Sequence, residues 1–193
     1  MKPLTHNDLL SLEQYARERA DFRTRVLTHK RDRKVRVGEH VTLLFEDRLT
    51  IQYQIQEMLR AEKIFEPEGI AEELDSYNPL IPDGSNLKCK MLIEYDDVEV
   101  RKRELLRLRN IEHEVQLLVE GHAPSTAAAD EDLPRSNDEK TAAVHFLRFE
   151  LDATAVADFK RGATAMFRIG HANYRAEARL TDEQQRALTA DLD

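Results

Sequence analysis

The sequence predicts an α+β fold, mainly an antiparallel sheet packed against N-terminal and intervening helices. Three observations support this prediction. Apolar residues recur at helical spacing near the N-terminus, several later segments alternate apolar and polar residues as strands do, and no regular strand–helix–strand repeat connects them. A chain of 193 residues suits one domain, so we expect a single domain over residues 1–193.

The first third of the chain carries helix and hairpin signals. Thr5 and Asp8 form a near capping box, which predicts a helix from about His6 to Lys30. KVRVGEHVTLLFED then alternates with the period of strands and predicts a β-hairpin or two short strands. TIQYQIQEMLRAE fits a short strand leading into a helix, or a helix from about Arg48 to Lys63, and its strong helix formers favour the helix.

Helices and strands continue less regularly after residue 66. Pro67 suits the first turn of a helix that reaches about Tyr77, and LKCKMLIEY predicts a strand with Cys89 on its inner face. The stretch 121–138 is rich in Ala, Ser, Pro and Asp, and we expect it to be a flexible insertion. The segment TAAVHFLRFELD predicts a strand, and Thr181 is expected to cap a terminal helix.

Composition restricts the environment and the chemistry. The hydrophobic content of 41% indicates a folded chain, and a single cysteine excludes an internal disulfide framework. Neither a signal-peptide core nor an apolar run of membrane-spanning length is visible, which predicts a cytoplasmic protein without membrane insertion. Phosphate-binding loops, G-x-G-x-x-G, H-E-x-x-H and G-x-S-x-G are absent from the sequence, which argues against classical nucleotide-dependent enzymes and leaves open whether the chain is an enzyme.

A basic segment suggests one alternative function. Lys30 to Arg36 is strongly positive, and Arg31, Arg33 and Arg36 would contact nucleic acid if this segment were a binding arm. The net charge of −8 and the lack of interleaved aromatic residues argue against nucleic acid as a partner.

Polar residues of the predicted second helix and of later segments form a candidate pocket. On a helix, Tyr53, Gln56, Glu57 and Arg60 share one polar face, which is either a solvated, salt-bridged face or the wall of a site. The complete candidate set is Tyr53, Gln56, Glu57, Arg60, Tyr77, Asn78, His145, His171 and Tyr174.

A metal-dependent enzyme is a second alternative function. His145 shares a strand face with apolar residues, so its ring nitrogens need partners, either a carbonyl or carboxylate in the core or a metal ion. Two histidines and a carboxylate suit iron, manganese or zinc, and Glu57, His145 and His171 are the candidate ligands. Cys89 is expected to be an inert buried residue.

Several of these segments resemble the bacterial DUF3501 family, a domain of unknown function. The resemblance rests on FEDRLTIQYQIQEMLRAEKIF, EELDSYNPLIPDGSNL, LIEYDD, and VHFLRFEL with HANY, and it covers nearly the whole chain. Its most specific part is the block Tyr53 to Arg60 followed by Tyr77-Asn78-Pro79-Leu80. The resemblance implies no catalytic residue. It implies an accessory role in redox or peroxide-stress metabolism, beside rubrerythrin-like or iron–sulfur oxidoreductase partners.

Overall fold

A computed structural model of the chain describes residues 2–137 and 139–193, which form six α-helices and nine β-strands. The helices are α1 (Leu12–Arg31), α2 (Arg48–Glu62), α3 (Pro67–Tyr77), α4 (Val98–Arg107), α5 (Ala153–Lys160) and α6 (Asp182–Thr189). The strands are β1 (Lys34–Val37), β2 (Val41–Phe45), β3 (Asn86–Ile93), β4 (Val115–Val119), β5 (Ser125–Thr126), β6 (Ala128–Ala129), β7 (Val144–Glu150), β8 (Ala165–His171) and β9 (Tyr174–Arg179). Among the described residues, no helix combines the length and the apolar character needed to cross a membrane.

The strands form two antiparallel sheets whose inner faces share the main core. One sheet has the order β1-β2-β3-β7-β6 and the other β5-β4-β8-β9. The Phe167 ring of the second sheet lies 5.2 Å from the Phe45 ring and 5.1 Å from the Phe149 ring of the first, measured between centroids. The predicted α+β class is confirmed. The main core, however, lies between two sheets, because strands with one apolar face each can bury those faces against one another.

The N-terminal helices form a separate layer with cores of their own. Ile51, Ile55 and Leu59 of α2 are buried with Ile70 and Leu74 of α3. The helix interpretation of TIQYQIQEMLRAE is thereby confirmed: Asp47 caps α2 through the Thr50 amide, and Lys63 ends it in the left-handed conformation.

The first helix starts later than the sequence predicts. The Thr5–Asp8 pair closes only a single 3-10 turn, His6–Asp8. The side chain of Ser11 then accepts a hydrogen bond from the Gln14 amide and caps α1. A capping signal fixes one turn, and whether that turn continues as a helix depends on the residues that follow.

The predicted insertion 121–138 contributes short strands to both sheets. β5 pairs with β4, and β6 pairs with β7. Asp138, the last residue of the insertion, lies outside the described residues. The flexibility of this segment stays a prediction, and so does the single-domain organisation.

Candidate functional site

Glu57, the central carboxylate of the predicted pocket, belongs to the interface between α1 and α2. Its carboxylate accepts hydrogen bonds from the Tyr15 hydroxyl at 2.6 Å and from Arg19 at 2.7 Å through both oxygens. Hydrogen bonding from Arg19, supported by Tyr15, lowers the pKa of Glu57 to about 2. Glu57 therefore joins two helices as a stably ionised group.

Gln56 and Asn78 hold the N-terminal segment by pairing their amides with the backbone. The Gln56 oxygen accepts from the Leu10 amide at 2.6 Å, and its nitrogen faces the Leu10 carbonyl at 3.3 Å. Asn78 binds the amide and the carbonyl of Leu4 at 2.8 and 2.9 Å. These two members of the predicted pocket therefore fix the N-terminal segment in place.

Two aromatic members of the predicted pocket also have structural contacts. Tyr53 stacks on Phe22 with ring centroids 6.0 Å apart. The Tyr174 hydroxyl donates to the Val37 carbonyl at 2.7 Å and accepts from the His40 amide at 3.0 Å. This contact joins the two sheets, and it requires Gly38 because a Cβ there would lie 2.5 Å from the hydroxyl.

The proposed metal ligands Glu57, His145 and His171 do not come together. His171 is the last residue of β8, where its Nε2 bonds the Arg109 carbonyl at 3.1 Å. The only cluster with metal-ligand character among the described residues joins His145 to Glu112 and Asp130. The grouping with Glu57 and His171 is therefore corrected, because strand alternation places His145 on the inner face of its sheet, whereas Glu57 binds α1.

His145 lies in a buried hydrogen-bond network at one end of the two sheets. Its Nδ1 is 2.6 Å from Asp130 Oδ2, and its Nε2 is 2.8 Å from Thr141 Oγ1 and 3.0 Å from the Ala142 carbonyl. Glu112 accepts from the hydroxyls of Thr141 and Ser136. The expected core histidine with carbonyl and carboxylate partners is confirmed, and this network is called the His145 cluster below.

A cleft with a volume of about 590 Å³ opens on the other face of the same sheet. Its floor includes Lys88 of β3 and Phe146 and Arg148 of β7, which point away from the main core because side chains alternate along strands. One wall comes from the end of α3 and the following turn, and the other comes from the loop after β6. The wall residues are Asp75, Ser76, Tyr77, Pro79, Leu80, Glu131, Asp132 and Arg135.

The cationic side chains of the cleft bind neighbouring groups that differ in solvent exposure. Lys88 donates to the Pro79 and Ile81 carbonyls at 2.8 and 2.9 Å, and burial lowers the pKa of its ammonium. Arg148 binds both carboxylate oxygens of Glu131 at 2.9 and 2.8 Å. Arg135 binds Asp132, which lowers the pKa of Asp132 to about 2, and its guanidinium lies 4.4 Å from the Phe146 ring centroid.

Sequence patterns indicate Tyr77 of this cleft but not its cations or the partners of His145. The period of strands β3 and β7 carries a signal for Lys88 and Arg148, since both alternate with inward residues. Glu112 and Asp130 carried no such signal, because each lies outside a regular strand and reaches His145 only through the fold.

The surroundings of two further residues bear on the predicted nucleic-acid segment and on the predicted burial of the cysteine. Arg33 of the basic segment is 1% exposed and binds Asp191 and three backbone carbonyls, so its side chain does not face solvent. Cys89 is buried on the inner face of β3, and burial raises the pKa of its thiol. The inert burial expected for Cys89 is confirmed.

Fold and site together define a class: an α+β protein of two antiparallel sheets with a helical layer and a charged cleft beside one sheet. The model of the DUF3501 family, described as a protein of unknown function, matches residues 3–192. The chain belongs to the DUF3501 family.

One solved structure extends this comparison. A crystal structure described as a novel protein of unknown function from Burkholderia pseudomallei K96243 is 49% identical to this chain. The match covers 100% of both chains with a TM-score of 0.94. No curated protein matches the sequence.

Proposed function

We propose that the protein binds a small organic anion, one that carries a carboxylate or phosphate group, in the cleft beside the five-stranded sheet. The observation that carries this proposal is the contact between Arg148, on the cleft floor, and the exposed carboxylate of Glu131. The guanidinium fork of arginine binds carboxylate and phosphate with the same paired geometry. A ligand anion can therefore replace Glu131 without any loss of hydrogen bonds by Arg148.

Two more cations support an anionic ligand. Lys88 uses two of its ammonium N–H groups on backbone carbonyls, so it stays anchored while a further N–H is available to a ligand. Arg135 is fixed over Phe146 and beside Asp130. Arginine and lysine side chains held by neighbouring groups bind an anion at low entropic cost, since their rotamers are already ordered.

The remaining walls favour an organic rather than an inorganic anion. Tyr77, Pro79 and Leu80 face the cleft together with Phe146, so a ligand contacts apolar and aromatic surface beside the charged floor. The Tyr77 hydroxyl has no hydrogen-bond partner in the described part of the chain and can donate to the ligand. A volume of about 590 Å³ lies within the range of small-molecule pockets.

The accessory redox role implied by the resemblance remains a prediction alongside this proposal. The chain's single cysteine is buried with a raised thiol pKa. A rubrerythrin-like or iron–sulfur partner would therefore have to supply the redox group, while this chain supplies the bound anion. The buried position of Arg33 weakens the nucleic-acid alternative, which also remains untested.

Binding of phenyl phosphate, benzoate, inorganic phosphate and benzylamine, measured by thermal shift and calorimetry, tests the proposal. Phenyl phosphate or benzoate should bind more tightly than inorganic phosphate, and the cation benzylamine should not bind. The Arg148→Gln variant should weaken phenyl phosphate binding at least about tenfold, because it removes a charged hydrogen-bond pair.

Arg168→Gln is the matched control. Arg168 also lies on a strand and binds a glutamate, Glu177, at 2.6 Å, but it belongs to the other sheet. The Arg168→Gln variant should leave phenyl phosphate binding unchanged. Equal binding by wild type and Arg148→Gln, or tightest binding by benzylamine, would overturn the proposal.

A further inference from the structure

The His145 cluster gathers ligand atoms from three separate parts of the chain. Glu112 comes from the short helix Ile111–Glu114, Asp130 follows β6, and His145 belongs to β7. One ligand atom from each of these residues lies within 4.8 Å of the other two. Their side chains are almost fully buried, so the cluster is built into the fold rather than formed by chance at the surface.

Asp130 orients the imidazole of His145. Because a carboxylate oxygen lies 2.6 Å from Nδ1 and can only accept, the Nδ1–H of the ring donates a hydrogen bond to Asp130. The other oxygen of Asp130 accepts from the Phe146 amide at 2.9 Å and from Arg135 at 3.2 Å, which fixes the carboxylate in turn. A histidine held this way by a carboxylate can exchange the Nε2 hydrogen bond to the Ala142 carbonyl for a bond to a metal ion.

Three oxygen atoms surround Nε2. Thr141 Oγ1 is 2.8 Å away, the Ala142 carbonyl oxygen 3.0 Å and Glu112 Oε2 3.9 Å. Thr141 Oγ1 and Glu112 Oε2 are themselves 3.2 Å apart. Metal–ligand bonds of about 2.1 Å that meet at right angles separate neighbouring donor atoms by about 3 Å. Three of the four separations, 2.8, 3.0 and 3.2 Å, match this spacing, and a small inward movement of Glu112 would shorten the fourth, from His145 Nε2 to Glu112 Oε2.

The charge balance of the cluster also favours a cation. Glu112 is buried, yet its hydrogen-bond partners Ser136 and Thr141 are neutral hydroxyls. Arg135 contacts Asp130 but also binds Asp132. Buried carboxylates are costly without a nearby positive charge, which a bound metal ion would supply.

We propose that His145 Nε2, Glu112, Thr141 Oγ1 and the Ala142 carbonyl bind one divalent transition-metal ion, with Asp130 as the residue that orients His145. The combination of one imidazole with oxygen ligands suits Zn²⁺, Mn²⁺ or Fe²⁺ better than Ca²⁺ or Mg²⁺. Glu112, Thr141 and His145 are buried and do not line the cleft. The ion therefore has a structural role: it fastens Thr141 and Ala142 to Glu112, and Asp130, which orients His145, also contacts Arg135 of the cleft.

Metal analysis of protein prepared without a histidine tag tests this inference. The protein is stripped with a chelator and dialysed separately against Zn²⁺, Mn²⁺ and, without oxygen, Fe²⁺, and bound metal is measured by mass spectrometry. Wild type should retain about one ion per chain of at least one of these metals, and that ion should raise the unfolding temperature.

Two variants and a control locate the ion. Glu112→Gln, which removes the charge, and Thr141→Val, which removes the hydroxyl at similar size, should each weaken binding at least about tenfold. Glu114→Gln changes an exposed carboxylate two residues from Glu112 and should bind as wild type does. Far-ultraviolet circular dichroism establishes that each variant is folded. Absence of bound metal in wild type, or undiminished binding by folded Glu112→Gln and Thr141→Val, would overturn the inference.

Discussion

The His145 cluster and the cleft use similar side chains on opposite faces of one sheet, but they differ in exposure. In the cluster, the His145 side chain is 0% exposed and that of Asp130 is 7% exposed. In the cleft, the Arg148 side chain is 30% exposed and that of its partner Glu131 is 55% exposed. Ion pairs that water reaches contribute little to stability, whereas buried charges left without a partner are costly.

This difference separates what holds the fold from what is available to a ligand. Asp130 and His145 also bind backbone groups, namely the Phe146 amide and the Ala142 carbonyl, so they fix the chain around them. Glu131 binds Arg148 alone among its described hydrogen-bond partners, and solvent or a ligand can replace it. The same residue types therefore have a structural role on the inner face of the sheet and, in the proposed function, a binding role on its outer face.

The largest effect is expected from loss of the buried pair. Asp130→Ala leaves His145 Nδ1, the Phe146 amide and part of Arg135 without an acceptor, and should lower the free energy of unfolding by about 3 kcal/mol. Urea denaturation in the presence of a chelator measures it. Asp132 lies two residues away and is exposed, so Asp132→Ala should lower the free energy of unfolding by less than about 1 kcal/mol. If both variants lowered the free energy of unfolding equally, the buried pair and the exposed pair would not differ in their contribution to stability.

An intermediate effect is expected from Glu57, whose side chain is 25% exposed. Because its folded-state pKa of about 2 lies below its ordinary value of 4.5, its contribution is fully present above pH 4.5 and is lost as the pH falls towards 2. Glu57→Gln should cost about 1–2 kcal/mol at pH 6, and the difference from wild type should shrink as the pH approaches 2. Denaturation at pH 6, 4 and 3 checks this, and a difference that stays constant over that range would refute it.

The smallest effect on stability is expected from the exposed cleft pair. Glu131→Gln should change the free energy of unfolding by less than about 1 kcal/mol. It should also tighten phenyl phosphate binding by a factor of about 2–10, because the loop carboxylate no longer competes for Arg148. Calorimetry on wild type and variant measures the change. Weaker binding by Glu131→Gln would show that Glu131 does not compete with the ligand.

Local patterns predicted the regular elements well, since helix and strand periods depend on neighbouring residues. The helix over TIQYQIQEMLRAE followed from its strong helix formers, and the inner face of β7 around His145 followed from strand alternation. The start of α1 did not, because the Thr5–Asp8 signal belongs to a single turn that ends before Ser11.

Partners far apart in the chain could not be predicted. The polar face of α2 was visible, but nothing local showed that Glu57 meets Arg19, or that Gln56 clamps Leu10 across 46 positions. His145 required a polar partner, yet the sequence did not identify Glu112, 33 residues earlier, or Asp130, within a low-complexity stretch. Such pairings depend on tertiary packing, which a single sequence does not encode in any fixed spacing.

A crystal structure of the protein with phenyl phosphate tests the central claim most directly. The account predicts that the phosphate oxygens bind the guanidinium of Arg148, that the Glu131 carboxylate is displaced, and that the phenyl ring contacts the wall formed by Tyr77 and Leu80. The contrary result is phenyl phosphate bound outside the cleft, or an occupied cleft in which Glu131 still holds Arg148.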